Sequence, residues 1–182
     1  GVIDALDRRP PGVALVDQGR LMLIGVTQPE VSGSRWARAR GHRGGTLPSL
    51  DHAHHLKVAE VVRKLVIGGI VAGVHDVSGG GIGVALAEMA AKSGIGVSAA
   101  RVANAAELFA EGPSRVVVCV EPESMSIVEN LCAEAGVPVS RIGVAGGDRF
   151  SIKGLVDLPL LDVIDAWTNH IPAALGAGTA QD

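Results

Sequence analysis

The sequence of 182 residues has few aromatic side chains, few cysteines and no long apolar run. Tyrosine is absent, and the aromatic residues are Trp36, Phe109, Phe150 and Trp167. No apolar run approaches the roughly 20 residues that a membrane-spanning helix needs, and the first residues lack the apolar segment of a signal peptide. The net charge of −3 provides no general attraction to nucleic acid or to anionic lipid. We therefore expect neither nucleic acid nor a membrane as a partner.

The two cysteines, Cys119 and Cys132, lie in a strand-like run and in a helix-like run. Isolated thiols in apolar surroundings are typical of reduced, buried cysteines, which predicts a cytoplasmic protein without disulfides. Apolar residues make up 47% of the sequence, enough for a well-filled core, and most of them are Val, Ala, Leu or Ile.

Strand-like apolar runs alternate along the chain with helix-like amphipathic runs. Strands are predicted at residues 13–16, 21–26, 70–77, 95–99, 115–120, 140–145 and 149–152. The last two are predicted to form a hairpin around Gly146-Gly147-Asp148. Helices are predicted after Asp51 as N-cap, at 82–92, after Pro122, and from Asp157 or Pro159 through Trp167. This order predicts an α/β sandwich, a mixed sheet with helices packed on it.

A Ser-, Gly- and Arg-rich stretch at residues 31–45 suggests a domain boundary. We predict that residues 1–46 close a preceding domain, that 47–172 form an α/β domain, and that 173–182 are a flexible tail. Because the first residues enter strand-like sequence without an initiator Met, we expect the chain to be a portion of a longer protein.

The stretch HDVSGGG at residues 75–81 joins a predicted strand to a predicted helix. Glycines at a helix N-terminus leave backbone N–H groups open to an anion, which predicts phosphate contacts from Gly79, Gly80 and Gly81. Asp76 could hold Mg²⁺, and Ser78 could donate to phosphate or cap the helix. A tight turn without a ligand explains the same residues equally well. The stretch matches neither the dinucleotide fingerprint nor the phosphate-binding loop with its lysine.

The stretch DHAHH at residues 51–55 invites a metal interpretation. Its histidines, His52, His54 and His55, lack the i, i+4 spacing of helical metal ligands, so a solvated first helical turn is favoured. The sequence shows no Ser-His-Asp or Cys-His arrangement and no CxxC, and we predict no catalytic residue in it.

Two further groups of charged residues have open interpretations. The basic run consists of Arg35, Arg38, Arg40 and Arg43. With one aromatic residue, Trp36, it is a poor nucleic-acid surface, so it either bonds to carboxylates or phosphates or is a solvated face. Glu111 and Arg115 flank a Gly-Pro turn before the strand at 115–120, where they could bind a ligand or pair with each other.

Several of these stretches, taken in order, resemble the C-terminal part of the phosphoribosylformylglycinamidine synthases. The matching stretches are GVID (1–4), LMLIGVT (21–27), SGSRWA (32–37), VHDVSGGGIGVALAEMA (74–90), LFAEGPSRVVVCV (108–120), AGVPVSRIGVAGGDRFSI (135–152) and DLPLLDVIDAW (157–167). The wider superfamily includes aminoimidazole ribonucleotide synthetase, selenophosphate synthetase, thiamine phosphate kinase and a hydrogenase maturation factor. Its members pair an ATP-binding domain with a C-terminal α/β domain.

The resemblance implies part of an ATP-dependent C–N ligase of purine biosynthesis, which converts formylglycinamide ribonucleotide to formylglycinamidine ribonucleotide. It implies that residues 1–46 close an ATP-binding-type domain and that the chain alone is catalytically incomplete. It also implies ATP or ADP with Mg²⁺ as ligands, although weakly bound or absent in this chain. The metal ligand would be Asp76, and the nucleotide contacts would be His75, Ser78, Gly79, Gly80, Gly81, Glu111 and Arg115. Implied partners are the rest of the synthetase chain, a glutaminase and a small accessory subunit.

Two residues depart from the pattern usual in the resembled family. Gly79 stands where HDVSDGG has its second aspartate, and Arg35 stands where a glutamate is usual. One alternative is therefore a structural or interaction repeat that binds no nucleotide. Another is a different synthetase or kinase of the same superfamily.

Overall fold

A computed structural model describes residues 9–176. Within them, seven strands form a single mixed sheet in the order β2-β4-β1-β5-β3-β6-β7. The strands are β1 (Arg20–Ile24), β2 (Gly73–Asp76), β3 (Val97–Ala99), β4 (Val116–Val120), β5 (Val139–Ala145), β6 (Arg149–Ile152) and β7 (Val156–Pro159). Neighbouring strands are antiparallel except β3 and β6, which are parallel.

Helices cover both faces of the sheet. They are α1 (Arg35–Ala39), α2 (His52–Ile67), α3 (Gly81–Ser93), α4 (Ala105–Phe109), α5 (Met125–Ala135) and α6 (Leu160–Ala174), and a 3₁₀ turn, Pro122–Ser124, precedes α5. Asp51 caps α2 by accepting a hydrogen bond from the His54 N–H at 3.0 Å. Gly94 ends α3 in the left-handed conformation, which costs little at glycine. No helix in residues 9–176 has both the length and the hydropathy needed to cross a membrane.

The alternation of side chains along the central strands creates two cores. Leu21 and Leu23 of β1 face α3, α4 and α6, while Met22 and Ile24 face α2 and α5. Strand β4 divides in the same way, with Cys119 in the first core and Val118 in the second. A strand with successive side chains on opposite faces supplies both cores, so its sequence is continuously apolar. The predicted mixed sheet covered by helices is confirmed.

The predicted hairpin of β5 and β6 is wrong, because β3 lies between these strands. The Gly96 N–H donates to the Gly147 carbonyl at 2.9 Å, and the Gly146 N–H donates to the Gly96 carbonyl at 2.8 Å. A Cβ at Gly96 would lie 2.5 Å from the Arg149 carbonyl oxygen. A glycine is therefore needed for β3 to enter between the two strands, and a local turn signal could not reveal that insertion.

The boundary predicted after residue 46 does not divide the sheet. Strand β1 lies between β4 and β5, so residues 20–24 are central to the domain predicted to begin at 47. The Ser-, Gly- and Arg-rich stretch belongs to this domain and contains α1, whose Trp36 stacks on Phe109 with ring centroids 6.0 Å apart. The composition change marks a long connection between β1 and α2, and only the pairing of β1 shows that both sides of it belong to the same sheet.

The chain ends also differ from expectation. Residues 13–16 are not a strand, and the Leu15 N–H donates to the Ser93 hydroxyl at 2.7 Å rather than to a neighbouring strand. Helix α6 continues to Ala174, so the predicted tail does not begin at 173. The rest of that tail, 177–182, and the GVID stretch lie outside the described residues.

Candidate functional site: the glycine loop between β2 and α3

The glycine loop, residues 77–81, carries the chain from the end of β2 into α3. Gly80 and Gly81 have φ values of 89° and 68°, a left-handed conformation that strains other residues. A Cβ at Gly81 would lie 2.5 Å from the Leu108 carbonyl oxygen and 2.7 Å from that of Ala110. These two glycines are therefore required by the turn and by its close packing on the end of α4.

The carboxylate of Glu111 occupies the position at which the sequence predicts an anion. Its Oε1 accepts hydrogen bonds from the Gly80 N–H at 2.7 Å and from the Arg35 N–H at 2.8 Å. The Gly81 N–H donates to the Ser78 carbonyl at 3.0 Å. Because α1 begins at Arg35 and α3 at Gly81, one carboxylate oxygen satisfies backbone donors at the start of two helices.

Two other predicted site residues, His75 and Asp76, end strand β2. The His75 Nε2 lies 2.9 Å from Glu88 Oε2 on α3, and its Nδ1 lies 2.7 Å from the Asp76 carbonyl oxygen. The imidazole therefore braces β2 against α3. The Asp76 side chain is 72% exposed, and its Oδ1 lies 3.5 Å from His75 Nδ1.

The loop presents few ligands for a metal ion. Residues 9–176 contain no group of three or more His, Cys, Asp or Glu side chains that could hold a metal. Asp76 and Ser78 are both exposed at the loop. This donor set fits a Mg²⁺ ion only if phosphate oxygens and water complete the coordination, which is the usual arrangement for that ion.

Arg115 is almost fully buried, with 2% of its surface exposed. Its guanidinium donates to the carbonyls of Ala110 and Gly112 at 2.6 and 3.1 Å, and to the Thr27 hydroxyl at 3.2 Å. Burial lowers the pKa of Arg115 to about 10, partly offset by attraction to Glu111, so the group is charged at neutral pH. These contacts make Arg115 a brace of the loop before β4, and Arg115 also lines a surface cavity together with Asp76.

The two departures from the family pattern lie against each other. A Cβ at Gly79 would lie 2.8 Å from the Nε atom of Arg35, so the arginine side chain covers the space that a residue larger than glycine would need. Gly79 does not have the positive φ of Gly80 and Gly81, so its backbone tolerates a side chain. The absence of a carboxylate at 79 and the presence of a cation at 35 are therefore one local feature.

Two contacts that organise this loop were not predicted from the sequence. Glu88 is the one acidic residue of the apolar run GIGVALAEMAAKS, and that isolation was a usable signal for a partner such as His75. The shared contact of Glu111 with Gly80 and Arg35 carried no signal, because the residues are 31 and 76 positions apart. The histidines of residues 52–55 start α2, and His55 Nδ1 lies 3.0 Å from the Ser114 hydroxyl.

The fold and the loop define a three-layer α/β domain in which a glycine turn joins an edge strand to a helix of one outer layer. The chain belongs to the family described as AIR synthase related protein, C-terminal domain, whose sequence model matches residues 20–154. The match begins at β1, as expected if β1 is part of the domain.

Curated relatives extend the comparison over most of the chain. The phosphoribosylformylglycinamidine synthase subunit PurL of Nocardioides sp. is 40% identical over 97% of the chain, and that of Thermobifida fusca is 32% identical over 97%. The chain spans only 23% and 24% of the lengths of these relatives. Among solved structures, Thermotoga maritima PurL complexed with FGAR matches 85% of this chain and 29% of that one, with a TM-score of 0.73 and 15% identity. The hydrogenase maturation protein HypE matches 79% of this chain and 49% of its own, with a TM-score of 0.56 and 16% identity, and both structures support the fold.

Proposed function

We propose that the chain forms the C-terminal α/β domain of an ATP-dependent phosphoribosylformylglycinamidine synthase. This ligase converts formylglycinamide ribonucleotide, ATP and glutamine-derived ammonia to formylglycinamidine ribonucleotide. The observation that carries the proposal is the 40% identity to the Nocardioides subunit over nearly the whole chain. By the same resemblance, the residues before β1 connect to an ATP-binding-type domain, and the enzyme works in the cytoplasm.

The proposed nucleotide contact is the exposed part of the glycine loop. Asp76 would contact Mg²⁺, and Ser78 with the Gly79 N–H would contact phosphate oxygens. Solved structures of Thermotoga maritima PurL with ATP, with ADP and with AMPPCP support nucleotide as the ligand class. Because Glu111 holds the Gly80 N–H, a phosphate at that donor must displace a carboxylate. We therefore propose that ADP·Mg²⁺ binds weakly to this chain alone.

The proposed partners are the remainder of the synthase chain, a glutaminase and a small accessory subunit. A solved structure of PurLQS from Thermotoga maritima supports an assembly of this kind. The same assembly would supply substrate contacts and the ammonia for the reaction.

A coupled assay for ADP release tests the proposed activity. We expect no turnover of formylglycinamide ribonucleotide with ATP and ammonia by the 182-residue chain, and substrate-dependent turnover by a synthase that carries this chain as its C-terminal part. Turnover by the 182-residue chain would contradict the assignment of the reaction to other domains. An inactive but folded synthase would contradict the proposed function itself.

A second candidate function is favoured by the Glu111 contact. The Gly80 N–H donates to Glu111 and the Gly81 N–H donates to the Ser78 carbonyl, so two of the three glycine N–H groups already have acceptors within the protein. This arrangement favours a structural repeat that binds no nucleotide. Calorimetry with millimolar ADP·Mg²⁺ separates the two functions. Heat that disappears in Asp76→Asn supports the ligand site, whereas no heat from either the wild type or Glu111→Ala supports the structural repeat.

A further inference from the structure

The basic run found in the sequence forms a recess on the surface. Residues 31–50 contain four arginines and one histidine but no aspartate or glutamate, although the whole chain has a net charge of −3. The recess has a volume of about 630 Å³, and its lining includes Ser32, Ser34, Arg38, His42 and Arg43. That volume is within the range of about 300–1,000 Å³ found for small-molecule sites. We call this feature the arginine recess.

Backbone contacts give the arginine recess a defined shape. Gly45, with a φ of 95°, packs directly against the Ser32 hydroxyl, where a Cβ would clash. At Gly33, the residue after Ser32, a Cβ would lie 2.6 Å from the Leu47 side chain. The His42 N–H donates to the Ala37 carbonyl at 2.9 Å. These contacts bring the two ends of residues 32–47 together, and the side chains of Arg38, His42 and Arg43 line the space between them.

The four arginines differ in what they contact. Arg40 lies over the Trp36 ring, with its guanidinium carbon 4.5 Å from the ring centroid, and Arg35 covers Gly79. Arg38 and Arg43 line the recess, and within residues 9–176 neither forms an ion pair. Two cationic side chains therefore lie beside one cavity without a protein carboxylate to neutralise them.

One acidic residue, Glu30, interacts with two residues that line the recess, Ser32 and His42. The pKa of its carboxyl lies below the ordinary value, first because of the hydrogen bond with the Ser32 side chain and, as the smallest cause, because of attraction to His42. Glu30 does not line the cavity. Within residues 9–176 its carboxylate forms no ion pair with Arg38 or Arg43.

We propose that the arginine recess binds a small anion that carries more than one phosphate group. Guanidinium groups present several N–H donors in a plane that matches phosphate oxygens, and those of Arg38 and Arg43 line the recess. The Ser34 hydroxyl accepts from the Ala37 N–H at 3.1 Å and keeps its own O–H to donate. Within the part of the chain that the structure describes, no Phe, Tyr or Trp ring lines the recess, and Trp36 is stacked on Phe109, so the surface lacks the large aromatic platforms of nucleic-acid-binding proteins. No residue of the glycine loop lines the arginine recess, so this proposal does not depend on the proposed function.

Tryptophan fluorescence provides a direct test. The sequence has two tryptophans, so Trp167→Phe leaves Trp36, which lies on α1 two residues from Arg38, as the single reporter. In that background we expect saturable quenching by inorganic pyrophosphate and by ATP without Mg²⁺, at constant ionic strength. The double change Arg38→Gln with Arg43→Gln should weaken binding at least tenfold, because it removes both unpaired cations.

Arg40→Gln is the control, because it removes a charge from the same segment without altering the lining. Since Arg40 lies over the Trp36 ring, the affinity of this variant is measured by calorimetry with pyrophosphate rather than by fluorescence. Arg40→Gln should change the affinity less than twofold, and circular dichroism should show that all variants are folded. Equal affinity for citrate would overturn the assignment to phosphate. Binding that survives the double change, or no binding of pyrophosphate by the reporter protein, would overturn the recess as the site. A separate calorimetric result with ADP·Mg²⁺ and Asp76→Asn reports on the glycine loop, so the two proposals fail independently.

Discussion

At the scale of single residues, Glu111 joins two helices through one carboxylate oxygen. Glu111→Ala removes the acceptor for the N–H groups of Arg35 and Gly80. Charge-assisted hydrogen bonds contribute about 1.5–3 kcal/mol, and partial exposure of Glu111 reduces that value. We expect a decrease of about 1–3 kcal/mol in the free energy of unfolding, measured by urea denaturation.

Glu111→Gln should retain part of this stability, because its amide oxygen still accepts both hydrogen bonds. Glu134→Ala serves as the control, since Glu134 is exposed on α5 and should change the free energy by less than about 0.5 kcal/mol. Equal effects of the Glu111→Ala and Glu134→Ala changes would show that the shared carboxylate contact is not stabilising.

The contact of Arg35 with Gly79 determines what a restored aspartate would do. In Gly79→Asp, the new carboxylate would lie beside the Arg35 guanidinium and form an ion pair with it. We expect no gain in affinity for ADP·Mg²⁺ from this change alone, measured by calorimetry. Gly79→Asp combined with Arg35→Glu should gain Mg²⁺-dependent affinity, because the cation that neutralises the aspartate is gone. A gain from Gly79→Asp alone would contradict the coupling of these two positions.

At the scale of secondary-structure elements, β4 is the strand on which both cores depend. Val118 is fully buried, pairs with Val74 of β2 and Met22 of β1, and packs in the core formed with α2 and α5. Val118→Ala removes two methyl groups and leaves a cavity, which should cost about 1–3 kcal/mol. Val84→Ala on α3 is the control, since Val84 is 36% exposed. An equally small decrease in the urea midpoint of both variants would show that Val118 of β4 does not contribute to a stabilising core.

At the scale of the whole molecule, the two cysteines report on opposite faces of the sheet. Cys119 belongs to the core with α3 and α6, and Cys132 belongs to the core with α2 and α5. Burial raises the pKa of the Cys132 thiol to about 11 and also raises the pKa of Cys119. Both thiols are therefore protonated at neutral pH and inaccessible, and we expect no reaction with dithionitrobenzoate in the folded protein.

Reactivity should appear in a single urea transition if the two cores unfold together, because β1 and β4 contribute side chains to both. Cys132→Ala and Cys119→Ala leave one thiol each and assign the signals. A thiol that reacts before the loss of circular dichroism would show that one helical layer opens independently of the other.

The sequence by itself determined the elements whose signals are local. The apolar run at β4, the Asp51 cap of α2 and the glycine end of α3 each follow from neighbouring residues, and each is found where it was predicted. The alternation of strands and helices also determined the α/β class. The quoted stretches pointed to the family, and the one at residues 74–90 contains Gly80 and Gly81, which the turn requires.

Only the tertiary structure decided which distant segments meet. The placement of β3 between β5 and β6, and of β1 between β4 and β5, rests on pairings that a turn signal or a composition change cannot encode. The same holds for the site, where Glu111 reaches Gly80 and Arg35 covers Gly79. Long-range contacts form because they bury apolar surface and satisfy backbone donors simultaneously across the whole chain, and no short stretch contains that information.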